Sequence, residues 1–434
     1  MNIEQYKMTF DNPALWFVEE VKKGYHVNRI SKVIENRNYL GGQHKVLTRE
    51  DAKYKGKELI TRKTIINYAK TVLNFHSTYL LGKPVSLTGD EEITKTFSDI
   101  YKLGLYNTVD YQILDRVNKF GDAYELVYVD NGIIKSKVLD SGDCYPVYDD
   151  NGEYISFIEY WTDAYSGISY YNVYYPTYVE YWSNEGGEEY LIDTKINVCG
   201  LPIHYHNFND NDYYYGESIL VDIKPLLDEL EDILSKMGDA IYVNSLNPMS
   251  VAIGQRIESS IPADATGYVL NLDNGDYKVV STMMDYNTIK LYLDNVKQFL
   301  NDIACIPSVL GSSTNVANVS EVSLKMLFHM ANIKAMETEK WLNVGMQERF
   351  KKFKQILNMQ GIKVDGEVEV EYNLSIPVAT DEVVKNLQVM REMGAISIDT
   401  IMEKSALIGD VSVEKDRLRS ESVVLNDNGS HLAE

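Results

Sequence analysis

Cysteine is scarce in this chain. Three occur in 434 residues, at Cys144, Cys199 and Cys305, and none belongs to a CxxC pair. The odd number and wide spacing exclude a disulfide framework and a zinc knuckle, and leave free buried thiols as the expectation. Long apolar runs are also missing, so nothing is long enough to span a bilayer. The opening Met1-Asn2-Ile3-Glu4-Gln5 lacks the basic and then apolar pattern of a secretion signal. A soluble protein made in cytosol, with no membrane partner, is expected.

Signatures of catalysis are missing too. There is no GxxxxGK[ST] to cradle a triphosphate, no HExxH and no GxSxG. No enzyme activity, cofactor or metal is therefore expected. His204 and His206 share one face of a strand, but with no third ligand placed they read as a structural pair. Asn209-Asp210-Asn211-Asp212 lacks the glycine and final glutamate of a calcium loop and reads as a turn. Asp149/Asp150 and Glu188/Glu189 are adjacent acids. In a strand such neighbours point to opposite faces, so they read as solvated turns rather than glycosidase pairs.

Positive charge is thin. The formal net charge is −22, from 42 basic and 64 acidic residues. Tight sequence-specific DNA readers gain affinity by neutralising phosphates, which this balance opposes. A smooth conduit is not opposed. Residues 1–80 reverse the trend, with 14 Lys/Arg against 8 Asp/Glu. That surplus reads as a solvated helical face, or as a surface for acidic partners or a capsid. From Val138 to Thr194 there is no Lys or Arg, but 12 acids and 12 of the 33 tyrosines. An exposed β-region with amphipathic tyrosines is expected there, with a sugar-binding surface as the alternative.

The hydrophobic content of 44% supports a large core, and the length suggests two to four structural units. The order of elements predicts an α+β fold. Asn12-Pro13 reads as a helix start and Gly24 as its stop. Helices are predicted over about 27–39, ending at Gly41-Gly42, and over 64–80, ending at Leu81-Gly82-Lys83-Pro84. Residues 124–206 alternate as strands, with hairpin chemistry at Asn131-Gly132 and Asn151-Gly152.

Two amphipathic helices then bracket a β-rich insert. The first runs from near Pro225 to about Asn244, with Leu226, Leu227, Leu230, Ile233, Leu234, Met237 and Ile241 in one stripe and acids on the other side. The second covers about 286–303, with Ile289, Tyr292, Leu293, Val296, Phe299, Leu300 and Ile303 on one face. In the insert, 267–272 and 277–280 read as strands. An uncharged polar loop follows, and Asn318-Val319-Ser320-Glu321 resembles a capping box opening a helix that reaches about Leu357. Gly361 ends it, 366–374 reads as a strand, and three short helices at about 381–393, 398–404 and 413–422 precede a tail read as disordered. No internal repeat or low-complexity block is found.

Certain blocks of residues, taken in order, resemble the portal proteins of tailed bacteriophages of the siphovirus type. They are Tyr39-Leu40-Gly41-Gly42; Arg62 through Tyr79-Leu80-Leu81-Gly82-Lys83-Pro84-Val85; Gly121 through Asp130; Leu139-Asp140; and Pro146 through Asp150. Gly200 through Phe208, Gly216-Glu217-Ser218, Ile303 through Pro307, Ile376-Pro377, Gly394 through Ser397, and Thr400 continue the series. Thr61-Arg62-Lys63 departs slightly, standing where Asn-Arg is common.

The resemblance implies a non-enzymatic dodecameric ring at one capsid vertex of the virion, assembled in the host cytoplasm. Double-stranded DNA would pass through it without sequence choice. Implied partners are the large terminase subunit, head-completion or adaptor proteins, and the major capsid and scaffold proteins. It also implies a portal architecture: a mixed α/β wing (1–217), a stem helix (218–245), a β-rich clip (246–284) and a second stem helix (285–306). A tunnel loop (307–319), a long helix with a returning wing strand (320–379), and a helical crown with a disordered tail (380–434) complete it.

On that mapping the DNA-facing loop residues are Ser308, Gly311, Ser312, Ser313, Thr314, Asn315 and Asn318. The stem would pack through Leu226, Leu230, Ile233, Leu234, Met237, Ile289, Leu293, Val296 and Leu300. Asn247, Gln255, Arg256, Asp273 and Asn274 would lie on the clip, where terminase and adaptors dock. Two alternatives stay open: another head-tail structural protein of a phage, or a carbohydrate-binding protein.

Overall fold

The computed structural model describes residues 2–54, 57–242, 249–254, 275–280, 285–307, 326–375, 380–405, 414–415 and 417–418. The chain divides into a larger unit, residues 1–314 with 327–375, and a smaller one, residues 315–326 with 376–434.

The larger unit opens with two short helices, α1 (Ile3–Lys7) and α2 (Trp16–Glu20), and a longer one, α3 (Gly24–Leu40). Gly24 thus opens a helix rather than closing one. Asn12 serves a turn, its side-chain oxygen accepting from the Ala14 N–H at 3.1 Å, and the helix proper begins at Trp16. A small hairpin, β1 (Ala52–Tyr54) and β2 (Lys57–Leu59), precedes α4 (Tyr68–Leu81) and β3 (Ser86–Gly89).

Next come α5 (Glu91–Gly104) and α6 (Tyr106–Phe120), two helices not among those expected from the sequence. Their signal was present. Ile93, Phe97 and Tyr101 repeat every fourth residue, and Val109, Ile113, Leu114 and Val117 follow helical spacing; all are buried.

Strands β4 (Asp122–Asp130) and β5 (Ile133–Leu139) form a hairpin. Asn131 and Gly132 turn it with φ of 51° and 81°, the left-handed pair that a tight hairpin needs. Strands β6 (Cys144–Tyr148), β7 (Tyr154–Thr162), β8 (Ser169–Tyr174), β9 (Tyr178–Ser183) and β10 (Tyr190–Ile196) form an antiparallel sheet in sequence order. Strand β11 (Ile203–His206) returns to pair with β4.

The tyrosine-rich stretch is therefore a packed sheet, and the expectation of an exposed tyrosine face is corrected. One face buries Tyr145, Tyr171 and Tyr175 against Tyr6, Trp16 and Phe17 of the N-terminal helices. The Trp16 indole N–H donates to the Tyr175 hydroxyl at 3.1 Å. The other face buries Phe157 and Tyr174 against Tyr124 and Leu139 of the smaller sheet. Aromatic rings supply the area to close both layers, while Tyr165, Tyr190 and the whole of β10 stay exposed.

Helix α7 (Leu220–Ile241), the strands β12 (Met249–Ile253) and β13 (Asp276–Val280), and helix α8 (Tyr286–Ile303) follow. The two strands pair antiparallel. Helix α7 starts five residues before Pro225, which sits inside it. The carbonyl that the proline leaves unbonded belongs to Val221, on the same exposed face, where water can reach it.

Helix α9 (His329–Met359) and strand β14 (Val368–Glu371) complete this unit, β14 pairing with β3. In the smaller unit, α10 (Thr380–Glu392) stops at Gly394 with φ 72°, and Ser397 caps α11 (Ile398–Lys404) through the Thr400 N–H at 3.1 Å. Residues 414–415 and 417–418 are helical.

Several separated sequence blocks converge in the larger unit. Asp122 accepts from the Gly216 N–H at 2.9 Å and holds the His204 Nε2 at 2.8 Å. The Tyr148 hydroxyl takes the other ring nitrogen of His204 at 2.7 Å. Both nitrogens of that histidine are thus engaged by protein, and no metal-type cluster occurs among the described residues. Asp212 and Asp149 accept backbone N–H groups two to four residues ahead, the turn chemistry their sequences suggested. Cys144 and Cys199 are buried and Cys305 half-buried, all three as free thiols.

Candidate functional site

Helices α7 and α8 lie side by side and expose several large apolar side chains. Their roots are fixed by apolar packing. Leu220, Ile223, Leu227, Leu300, Ala304 and Ile306 share one core with Val72 and Leu73 of α4. His76 of α4 reaches across, its Nε2 2.7 Å from the Ala304 carbonyl. Burial pushes that imidazole down to about 4, although the bond to Ala304 acts the other way.

A second clamp is polar. Residues 61–66, of which 64–66 were expected to open a helix, run extended beside α7. The N–H groups of Arg62, Thr64 and Ile66 donate to Asp239 (2.8 Å), Ser235 (2.9 Å) and Glu231 (2.7 Å). Two residues of extended chain span roughly 6.7 Å, and four residues of helix rise about 6 Å, so the two periods match. The match holds residues 62–66 extended along α7, so α4 starts only at Tyr68.

Glu231 is fully buried, correcting the expectation that the acids of this helix face solvent. His44 Nδ1 sits 2.8 and 2.9 Å from its two oxygens, and the His44 ring stacks on Tyr39. Arg49 reaches Asp239 at 3.1 Å and Asp232 at 3.6 Å.

Away from the root, the pair covers itself only in part. Leu230, Val296 and Leu300 are buried, while Leu226, Ile233, Leu234, Met237, Ile289 and Leu293 are half-buried. Three residues expected on the packed stripe of α8 face outward instead: Tyr292, Phe299 and Ile303 are 44%, 58% and 50% exposed. Leu291 and, on α7, Ile241 are exposed as well. Two helices bring one stripe each to their contact, and Phe299 and Ile303 lie off that stripe, exposed among the described residues. Near the outer end the Tyr292 hydroxyl donates to Glu229 at 2.9 Å.

The loop residues Ser308, Gly311, Ser312, Ser313, Thr314, Asn315 and Asn318 lie outside the described residues. So do Asn247, Gln255, Arg256, Asp273 and Asn274, the strand at 267–272 and the capping box at 318–321. The residues that sequence reasoning missed, His44, Glu231, Ser235 and Asp239, carried one faint mark. The last three recur every fourth position on one side of α7, a polar row whose partners are distant in sequence.

Residues 19–423 match the family model described as "Phage portal protein, SPP1 Gp6-like", and the chain belongs to that family of phage portal proteins. Its α+β architecture is that of a portal subunit. No curated protein matches the sequence. Among solved structures, the chain resembles one from "Neck of empty GTA particle computed with C6 symmetry", at 13% identity and TM-score 0.48, over 76% of this chain and 86% of that one. A second is from "Neck of native GTA particle computed with C12 symmetry", at 14% identity and TM-score 0.46, over 79% and 91%. A third is from "Virion of native gene transfer agent (GTA) particle", at 14% identity and TM-score 0.45, over 76% and 87%.

Proposed function

We propose that the chain is a subunit of a closed, dodecameric portal ring through which double-stranded DNA enters and leaves a capsid. Membership of the portal family supports the role. The single observation carrying the ring is the outward apolar row of α8, Tyr292, Phe299 and Ile303, on a helix already packed on one side. A closed ring of identical neighbours covers such a row in every copy equally. The subunit performs no chemistry of its own, and packaging energy comes from a separate terminase.

In this proposal α7 and α8 form the stem, and residues 246–284 form the clip, where terminase and then head-completion proteins dock. Residues 307–319 form the loop that meets DNA, and the smaller unit forms the crown. Twelve copies at −22 each sum to −264 formal charges. So acidic a ring does not trap the phosphate backbone, which suits a sliding polymer. The uncharged loop offers hydroxyls and amides for transient bonds to phosphate oxygens.

Native mass spectrometry and negative-stain imaging of the full chain test the ring; a strict monomer under all conditions, including in particles, overturns it. Deleting Ser308–Asn318 is expected to leave rings and block packaging, and normal packaging by that deletion removes the loop's role.

A further inference from the structure

We infer that neighbouring copies recognise one another through a two-rung charge ladder, Lys297 and Lys290 on α8 of one chain against Asp222 and Glu229 on α7 of the next. The inference rests on the ring proposed above and names which faces meet.

All four side chains are exposed. Neither lysine has an ion-pair partner among the described residues, nor has either acid a basic one, although Lys236, Lys224 and Arg49 on or beside α7 are all paired. Helical spacing sorts them onto faces. At 3.6 residues per turn, positions seven apart return to nearly the same side. Lys290 and Lys297 therefore share one flank of α8, about a quarter turn from the inward row Ile289, Leu293, Val296 and Leu300. Asp222 and Glu229 share the side of α7 turned away from its buried row. Glu229 lies on the rim of a cleft of about 980 Å³ that Val221, Pro225 and Asp232 also border, and Asp222 lies outside it.

The heights agree as well. The helices run antiparallel, and the Tyr292–Glu229 hydrogen bond of 2.9 Å sets Tyr292 level with Glu229. In a ring, each copy is carried onto the next by rotation about one axis. With the pair aligned to that axis, residues level within a chain stay level across the interface. Lys290 then lies two residues, about 3 Å, beyond the level of Glu229. Lys297 lies beyond the level of Asp222 by the same two residues. One offset serves both rungs, and a lysine side chain is long enough to absorb it. The arrangement is heterologous, each chain giving acids on one side and lysines on the other, as ring closure requires.

The test is charge reversal in the full chain, read by native mass spectrometry and negative stain, with circular dichroism to confirm folding. K290E/K297E and D222K/E229K are each expected to lose the ring. The four-fold variant is expected to regain it. Mixing the two double variants is expected to regain it too, because each supplies the face the other needs, in rings where they alternate. Should a reversed chain fail to fold, K290Q/K297Q and D222N/E229N carry the same test as a shift from ring to monomer.

Rings from both double variants as abundant as wild type overturn the inference and leave the ring intact. Folded double variants that are not rescued by mixing overturn it too. A wild-type chain that forms no ring fails the broader proposal instead.

Discussion

The backbone N–H of Ile66 lies 2.7 Å from Oε1 of Glu231, a carboxylate with no exposure to solvent. A buried carboxylate is costly unless its oxygens are satisfied, and here Ile66 and His44 share them. The bond ties the chain before α4 to the flank of α7 and holds the helix pair against the body of the larger unit.

Removing that carboxylate should therefore loosen the joint. Glu231→Ala strands the Ile66 amide and the Nδ1 of His44, whose Nε2 keeps Asn67, at a cost of about 2–3 kcal/mol. Denaturant unfolding measures the loss. Amide hydrogen exchange locates it: the Ile66, Thr64 and Arg62 amides are expected to lose protection together, and unchanged exchange at all three would contradict the clamp.

Arg349 of α9 makes the other buried lock. Its Nε lies 2.9 and 3.0 Å from the oxygens of Glu125 on β4, its Nη1 pairs with Asp110 of α6, and the Tyr205 hydroxyl donates to Glu125 at 2.6 Å. Burial pushes the Asp110 carboxyl up to about 6, with Arg349 pulling it back. Arg349→Met leaves two acids without their cation and should cost about 3–5 kcal/mol in urea unfolding. Arg349→Lys should cost less but not nothing, since an ammonium cannot reproduce the planar fork.

These two locks mark the limit of what the sequence could reveal. The hairpin at Asn131-Gly132, the ends of α8 and the bounds of α11 were legible because turn chemistry and apolar spacing are local. The convergence of Gly121-Asp122 with His204 and Gly216 was not, although each block stands out in the sequence by itself. The start of α4 is illegible for the same reason: Ile65 and Tyr68 fit one helical stripe, but residues 62, 64 and 66 are held extended by a helix more than 160 residues away. Glu231 reads as one of the solvent-facing acids of its helix, and the pairing of Arg349 is not legible, because nothing nearby in sequence names their partners. For the paired helices, spacing showed which residues are apolar. It could not separate those facing the other helix from the outward Phe299 and Ile303.

Gly345 sits inside the 31-residue helix α9, where glycine costs about 1 kcal/mol relative to alanine. A Cβ there would stand 2.2 Å from the Tyr205 ring of β11. Gly345→Ala thus exchanges better helix propensity for a clash with a fully buried ring. The clash should dominate, lowering stability by about 1–3 kcal/mol in denaturant titration. A more stable variant would show that α9 can move off β11.

His76 gives the stability a pH dependence of definite sign. Its folded value is pushed down to about 4 from an ordinary 6.5, so the native state favours the neutral ring. Above pH 6.5 the ring is neutral folded or unfolded, and nothing is lost. Between about 6.5 and 4 the unfolded chain takes up the proton first, so stability falls as the pH falls. Below 4 the full penalty applies, on the order of 3 kcal/mol. His76→Gln keeps a donor for the Ala304 carbonyl but cannot titrate. Urea unfolding of both proteins across pH 4 to 7 is expected to show a shallower slope in the variant. Parallel curves would mean that His76 takes up its proton at the same pH in the folded and unfolded chain, so that its burial carries no penalty.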